Sequence, residues 1–290
     1  MSAEQTTPQE WIIPALVSNI CWHNEQGFGK LQLSNADQIW QCHTFMEPWI
    51  YKGFGSESAG FARIIPSTNT ANEPIYLMVD FRFEKSLKAL YYVHADFCPI
   101  EGIVDQARAL VHCIHHAGLR ELVEDALSMQ AVSNYFWTCP ASIRDHHCNA
   151  GGLAQHSVEV ATMIACSDLD TPDKDIGIAF ALLHDIGKVN AYADGKLTQE
   201  ACEIGHEGIG FNLLEPLLDK FKQHDESTGK TLIELLNGTW KRTTKDRRPL
   251  AIGRVVNAFD QLSCERNLLK QIKNPPADSF HCEDVAFLEW

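Results

Sequence analysis

The first third of the chain alternates short apolar stretches with turn-forming residues, a pattern that is typical of β-strands. The apolar stretches are residues 11–17, 29–33, 39–43 and 75–81, and the breaks contain Asn24, Gly27, Gly29, Asn35, Gly53, Pro66 and Pro74. Leu31 and Leu33 alternate with polar residues, which indicates strands with one buried face. Because no long helix interrupts them, residues 11 to about 83 are predicted to form a small barrel or sandwich.

From about Ile100 the apolar residues recur at helical spacing. Two such sets are Ile103, Ala107, Leu110, Val111 and Ile114, and Leu119, Leu122, Val123 and Leu127. The pattern continues to about Lys270 and stops at the two prolines after Asn274. The sequence therefore predicts an α+β protein that is mainly α. We expect a β-rich domain at residues 1–85, a helical domain at residues 86–270 and a C-terminal tail at residues 271–290.

The composition is that of an ordinary globular protein, with 45% apolar and 21% charged residues among 290. The net charge of −14 argues against a protein that coats nucleic acid nonspecifically, because phosphate contacts need lysine and arginine. One basic stretch is an exception, and it contains Lys241, Arg242, Lys245, Arg247, Arg248 and Arg254. It is interpreted either as a solvated loop or as an edge that contacts phosphates.

Several sequence features bear on the cellular compartment. The N-terminal residues lack the basic, apolar and small-residue parts of a signal peptide. The apolar run at residues 176–183 is shorter than the ~20 residues that a membrane-spanning helix needs. The ten cysteines lie singly between Cys21 and Cys282, which argues against zinc ribbons and redox motifs. We therefore expect a soluble, cytoplasmic protein with free thiols and no membrane contact.

The segment with the clearest chemical pattern is the run at residues 176–183 together with the residues after it. The run is apolar on every side apart from Gly177, which predicts a buried helix. It leads into His184, Asp185 and Lys188. An imidazole and a carboxylate beside an ammonium suit a divalent metal and an anionic substrate. The alternative interpretation is a helix end, where His184 and Lys188 complement the helix dipole.

Two further segments carry polar residues among apolar ones. His146, His147 and His156 surround a Gly-Gly turn at residues 151–152, after which a helix is predicted to begin. A single histidine there would indicate a core or capping residue, whereas three around one turn favour a functional site. Further along, Asp260 interrupts an apolar helix, and by itself it indicates only a polar position near a helix boundary.

In order and spacing, these segments resemble the H…HD…D pattern of the HD superfamily of metal-dependent phosphohydrolases, over the whole predicted helical domain. The resemblance rests on Leu-Leu-His184-Asp185-Ile-Gly-Lys188, on His156 after Gly-Gly-Leu, and on Asp260 in its apolar helix. It implies a helical bundle in which four side chains bind a divalent ion, namely His156, His184, Asp185 and Asp260. The identity of the ion among Mn, Mg, Fe, Ni and Zn stays open.

The stretch before and around His156 is similar to YhaM-type 3′-to-5′ exoribonucleases and to the HD domain of conjugative-transfer relaxases. It runs Thr-Cys-Pro-Ala-Ser-Ile-Arg-Asp-His-His from residue 138, and then Gly-Gly-Leu-Ala-Gln-His-Ser-Val-Glu-Val-Ala from residue 151. Both relatives cut phosphodiesters, and the exoribonucleases carry a small OB-fold domain before the HD domain. The resemblance therefore implies an OB-like barrel at residues 1–85 and a nuclease, in particular an exonuclease, that acts on single-stranded RNA or DNA.

A second metal position is predicted to be weak or absent. HD proteins with two metals carry a further histidine, which His206 matches, and then a His-His pair. Leu236 and Asn237 occupy the expected place of that pair. His112 and His116 lie one helical turn apart, but the sequence offers no third ligand nearby, so we interpret them as part of a structural or surface helix.

The resemblance and the residue chemistry together assign roles around the metal. Asp185 accepts the proton of the attacking water, and Lys188 offsets charge on the phosphoryl oxygens. His147 and His206 protonate the leaving group or hold an oxygen. Substrate contacts are expected from His146, Lys241, Arg242, Arg247 and Arg248. Four aromatic residues of the barrel have two interpretations, namely Trp22, Phe28, Trp40 and Trp49. Each would stack on a base if its side chain is exposed, and each also fits the barrel core.

Two other functions fit the same residues. One is a phosphohydrolase of small nucleotides, which the negative net charge and the short chain favour. The other is a degenerate HD domain that only binds nucleic acid or a protein partner, which the replacement at Leu236 and Asn237 favours. The choice between RNA and DNA, the cleavage polarity and the oligomeric state stay open.

Overall fold

A computed structural model describes residues 9–23, 27–46, 59–133, 135–193, 195–242 and 247–273. The N-terminal part is built from strands with bulky, alternately buried side chains. The strands are β1 (Trp11–His23), β2 (Phe28–Ser34), β3 (Ile39–Thr44), β4 (Ala59–Thr68) and β5 (Pro74–Phe83).

These strands form a closed barrel with the order β1-β2-β3-β5-β4. Strands β3 and β5 pair in parallel, and the other neighbours pair antiparallel. In β2 the buried side chains include Leu31 and Leu33, and in β3 they include Trp40 and Cys42, so alternate residues fill the barrel. The prediction of a small β-rich domain is confirmed, and the domain is a barrel.

The buried position of Trp40 selects the core interpretation of this residue over the stacking interpretation. Its side chain is only 4% exposed and lies in the barrel core with Leu33 and Met78, so it is not available to stack on a base. Phe28 and Trp22 are partly exposed on the barrel. Trp49 lies outside the described residues.

The remainder is helical, which confirms the predicted bundle. The helices are α1 (Ile103–His112), α2 (Ala117–Ser128), α3 (Gln130–Ser133), α4 (Gly152–Ala165), α5 (Thr171–Leu183), α6 (Lys188–Ala191), α7 (Gln199–His224), α8 (Glu226–Leu236) and α9 (Arg247–Lys273). Short 3-10 helices occur at Ala89–Tyr92, Ala95–Phe97 and Thr239–Arg242, and a small hairpin pairs β6 (Tyr192–Ala193) with β7 (Lys196–Leu197). Among the residues described, no helix is long and apolar enough to cross a bilayer.

Helix α5 lies at the centre of the bundle, as its apolar sequence predicts. Every residue from 176 to 183 is buried, and the helix contacts α2, α4, α8 and α9. Helix α4 packs between α5 and α9. A helix that is apolar all round must be enclosed by others, and this enclosure fixes the position of its C-terminal end.

The barrel joins the bundle through the 3-10 turn at residues 89–92. Leu16 and Ala59 of the barrel share one apolar cluster with Leu90 and Val93. In addition, the Ser34 hydroxyl donates a hydrogen bond of 2.9 Å to the carbonyl of Tyr92. The two parts therefore share buried surface.

His112 and His116 have structural partners, as interpreted from the sequence, but they do not share one helix, because His112 ends α1 and His116 is the N-cap of α2. His116 caps α2, because its Nδ1 accepts from the backbone N–H of Leu119, and its own N–H donates to the buried Asp175. His112 Nδ1 contacts the carbonyl of Arg108, one turn earlier. The cysteines within the described ranges are all free thiols.

Candidate metal centre

The turn before α4 folds back onto the start of that helix. Gly151 has φ of +79°, and a Cβ at Gly152 would lie 2.0 Å from the carbonyl oxygen of His147. His147 itself adopts φ of +47°. Glycine is needed at residue 152 because the loop passes directly over it. As a result, the rings of His146 and His147 each lie 5.2 Å from the ring of His156.

His156, on α4, is wholly buried and is held by a serine from α9. Its Nδ1 lies 3.2 Å from the Ser263 hydroxyl, and that hydroxyl donates to Glu159 at 2.8 Å. Burial acts to raise the pKa of Glu159, but hydrogen bonds from His147 and Ser263 lower it to about 2, so Glu159 is ionised. An ionised carboxylate only accepts, so Ser263 gives its proton to Glu159 and accepts from His156 Nδ1. The lone pair of His156 is therefore on Nε2.

His184 has the same tautomer for a different reason. Helix α5 ends at Leu183, and His184 is its C-cap rather than a residue of the helix interior. Its Nδ1 lies 2.8 Å from the carbonyl oxygen of Ala181, which can only accept a hydrogen bond. The free lone pair of His184 is therefore also on Nε2.

Both Nε2 atoms face the same two carboxylates. His156 Nε2 lies 3.0 Å from Asp260 Oδ1 and 3.6 Å from Asp185 Oδ2. His184 Nε2 lies 3.4 Å from Asp185 Oδ2 and 4.0 Å from Asp260 Oδ1. Helix α4, the turn after α5 and helix α9 thus bring together the four residues that the sequence singled out.

This arrangement calls for a cation at its centre. Both Nε2 atoms contact carboxylate oxygens without a hydrogen bond of suitable geometry to a described residue, and lone pairs that face one another repel. A proton or a metal ion would relieve the repulsion. Burial lowers the pKa of His156, which disfavours the proton. Ligand atoms of His156, His184 and Asp260 lie within 4.8 Å of one another, so the residues present fit a divalent ion.

Residues 153–265 match the family model of the HD domain. The match includes both histidines and both aspartates of this site. It supports the resemblance of this part of the chain to the HD-domain superfamily. An HD domain implies metal-dependent phosphohydrolase activity. Comparison with curated proteins and with solved structures gave no match to the chain.

Asp185 of the HD domain has a partner on each carboxylate oxygen. The Lys188 ammonium donates to Oδ2 at 2.6 Å, and His206 Nε2 lies 3.1 Å from Oδ1. Burial acts to raise the pKa of Asp185, but His184 and Lys188 outweigh it and hold the pKa well below its usual range. Asp185 is therefore ionised even though it is only 4% exposed, as a candidate metal ligand must be.

Glycines place His206 beside Asp185. A Cβ at Gly187 would lie 2.0 Å from the carbonyl oxygen of His206 and 2.4 Å from the backbone nitrogen of Gly210. Helix α7 can approach the HD turn this closely only because residue 187 has no side chain. Gly205, with φ of +71°, kinks α7 immediately before His206.

The place of the expected His-His pair is apolar. Leu236 is 6% exposed and lines, with Trp240, a small pocket beside His184 and Asp260. The Asn237 side-chain oxygen accepts from the backbone of Thr239 and thus caps its own turn. Neither side chain is available as a metal ligand in this conformation. That the second metal position is weak or absent stays a prediction.

The basic stretch borders the same pocket. Lys241 lines it and lies 5.7 Å from the centre of the Trp240 ring, whereas Arg242 and Arg247 are exposed. Arg248 Nε donates to Asp173 at 2.6 Å, which anchors the start of α9. Residues 243–246 lie outside the described ranges. Substrate contact by these side chains and by His146 stays a prediction.

Three polar residues of the site were not found from the sequence. They are Glu159, Ser263 and Cys264. Glu159 follows His156 by three residues, and Ser263 and Cys264 follow Asp260 by three and four residues. Helical spacing thus places each of them near a predicted ligand on its own helix, but it does not distinguish them from other polar residues of those helices.

Proposed function

We propose that the chain is a metal-dependent phosphodiesterase that cleaves single-stranded nucleic acid, with exonuclease action as the expected mode. The proposal of hydrolase activity rests on one observation, which is that two imidazole lone pairs and two carboxylates converge on one buried point. His156, His184, Asp185 and Asp260 would hold the ion. A divalent ion bound there would lower the pKa of a water molecule and polarise a phosphoryl group.

The surrounding side chains supply charge and proton transfer. Asp185 is ionised and would hold the ion, but its low pKa makes it a weak base for the attacking water, and the Lys188 ammonium offsets negative charge that develops on the phosphoryl oxygens. His147 is wholly buried and its Nε2 is 3.3 Å from Glu159, whereas the His206 side chain is 33% exposed. We therefore assign protonation of the leaving group to His206 and a supporting position to His147.

The barrel supports the choice of a single-stranded substrate. The rings of His23 and Phe28 lie 5.1 Å apart, and the rings of Phe28 and His43 lie 5.7 Å apart, so three partly exposed rings form a row across β1, β2 and β3. Lys30 is exposed on the same strand as Phe28. Bases stack on such rings whatever their sequence, and OB folds bind oligonucleotides on this face.

The first experiment compares substrates on the metal-loaded protein. Wild type should hydrolyse a single-stranded oligonucleotide and a bis-nitrophenyl phosphate reporter, and Asp185→Ala should lose both activities by about 100-fold or more. Phe28→Ala should raise KM for the oligonucleotide and leave reporter hydrolysis unchanged, because the reporter does not reach the barrel. Unchanged turnover in Asp185→Ala would contradict the mechanism. If the protein hydrolyses nucleoside monophosphates but not oligonucleotides, its function is instead that of a nucleotidase.

A further inference from the structure

A second group of potential ligand atoms adjoins the four residues above. His146, His156 and Cys264 each place one such atom within 4.8 Å of the others. Cys264 lies one turn after Asp260 on α9, and its Sγ is 3.8 Å from Asp260 Oδ1. The sulfur therefore faces the same space as a carboxylate of the proposed metal centre.

The histidines of this group have ring nitrogens without partners. His156 is 0% exposed, and its Nε2 lies 3.0 Å from Asp260 Oδ1 but makes no hydrogen bond of suitable geometry with a residue that the structure describes. His146 Nε2 is likewise buried without such a bond. Buried polar atoms normally have partners, because leaving them without one costs free energy. A bound ion would satisfy both nitrogens.

The two groups describe one ion position rather than two. His156 Nδ1 is occupied by Ser263, so this ring can offer only Nε2 to a metal. A single lone pair binds a single ion. Since His156 also belongs to the group with His184 and Asp260, the sulfur and His146 can serve only as ligands, or alternative ligands, of that same ion.

We propose that Cys264 and His146 are alternative ligands of this ion, which exchange with members of the four residues above and keep a position open for water, and that the thiolate makes this a centre for a thiophilic divalent ion such as Zn²⁺. Thiolate ligands select softer ions, whereas Mg²⁺ and Mn²⁺ prefer oxygen. As the sulfur–metal bond forms, the thiol proton passes to solvent, and the thiolate charge offsets that of the ion. This inference rests on the metal centre of the proposed function, and it adds the class of ion that the centre takes.

Cobalt titration of the full-length apoprotein tests the sulfur ligand without reference to turnover. Co²⁺ bound by a thiolate gives a near-ultraviolet charge-transfer band, whereas Co²⁺ bound by nitrogen and oxygen alone gives only the weaker visible bands. Wild type should show the charge-transfer band, and Cys264→Ser should lose it while still binding cobalt. Cys148→Ser is the matched control, because Cys148 is also partly buried, lies two residues from His146 and belongs to neither group. His146→Ala should shift the visible bands and keep the charge-transfer band.

The same titration separates failure of this inference from failure of the proposed function. Cobalt binding by wild type without a charge-transfer band, or a band that survives in Cys264→Ser, would overturn the thiolate ligand and leave the hydrolase intact. Absence of cobalt binding in wild type would overturn both. Competition should agree with the spectra, since Cys264→Ser should weaken Zn²⁺ binding more than Mn²⁺ binding.

Discussion

At the scale of single residues, the site depends on proton positions as much as on distances. His156 could present either nitrogen to the ion, and Ser263 decides the matter because its only proton goes to Glu159. Glu159, Ser263 and His156 thus form a chain that ends in a lone pair aimed at Asp260 and Asp185. Such partners of a metal ligand typically alter metal affinity by about 10–100-fold.

Ser263→Ala should therefore weaken metal binding by about 10–100-fold, because His156 loses the acceptor that fixes its tautomer. Metal affinity can be measured by competition with a chromogenic chelator. The control is Ser157→Ala on the same helix as His156. Ser157 is equally buried, but its hydroxyl has no partner among the residues described, so its loss should change affinity little. Equal losses in the two variants would show that Ser263 acts through packing alone.

At the scale of secondary-structure elements, the HD turn and α7 meet backbone to backbone. Gly187 and Gly210 face each other at this crossing, since a Cβ on either would lie close to the backbone of the other. The crossing positions His206 against Asp185. Gly187 has no side chain, yet it controls the distance between these two functional side chains.

Gly187→Ala should destabilise the protein by about 1–3 kcal/mol, the usual range for overpacking, because the added carbon meets a carbonyl oxygen that cannot move alone. Chemical denaturation measures the stability, and the reporter assay should show a lower kcat through displacement of His206. Gly208→Ala on the same helix is the control. The atoms nearest to its Cβ would belong to the 45% exposed side chain of Ile204, at 3.1 Å or more, which is a much smaller overlap than the 2.0 Å approach to a carbonyl oxygen at Gly187. A Gly187→Ala protein as stable as Gly208→Ala would contradict the tight crossing.

The secondary-structure elements also show which features could be predicted from the sequence. The apolar run at residues 176–183 predicted a buried helix, and its burial is confirmed. The end of that helix was harder to predict. Helical spacing would place His184 and Asp185 on the helix, whereas the helix ends at Leu183. Trp40 was equally ambiguous, because an alternating strand does not say which face an aromatic residue takes. In both cases tertiary packing makes the choice.

At the scale of the whole molecule, the proposed ion would join three separated pieces of chain. Ligands come from α4, from the turn after α5 and from α9. Two carboxylates, Asp185 and Asp260, lie close together there. Among the lysine and arginine side chains described, Lys188 is the one that faces them, so the negative charge exceeds the positive charge. Any ion that binds only the folded chain stabilises it by mass action.

Saturating Zn²⁺ or Mn²⁺, at about 100 times its dissociation constant, should therefore raise the free energy of unfolding by about 2.7 kcal/mol. Thermal unfolding with and without chelator measures this gain as an increase in Tm. Asp260→Asn should fold but lose most of the gain. Asp219→Asn, at an exposed position of α7, should keep it. A metal-dependent Tm that persists in Asp260→Asn would place the ion elsewhere.

The same scale explains which site residues could not be predicted. His184 and Asp185 are adjacent and stand out after an apolar run. Glu159 and Ser263 are ordinary polar residues in helices far apart in sequence, and they become a pair only when α9 packs on α4. Cys264 is one of ten scattered cysteines, and only its distance to His146 and His156 distinguishes it. Residue spacing finds neighbours within one helix and not across two.

The dependence of His156 on α9 also sets an order of events during synthesis. Helix α9 provides both the serine that orients this imidazole and the aspartate that faces it, about 100 residues later in the chain. At ~5–20 residues per second, a ribosome takes on the order of ten seconds to cover that interval. A nascent chain that already has a folded barrel and its first helices would therefore still lack a complete binding pocket. Acquisition of the ion would mark the moment at which the last helix has docked.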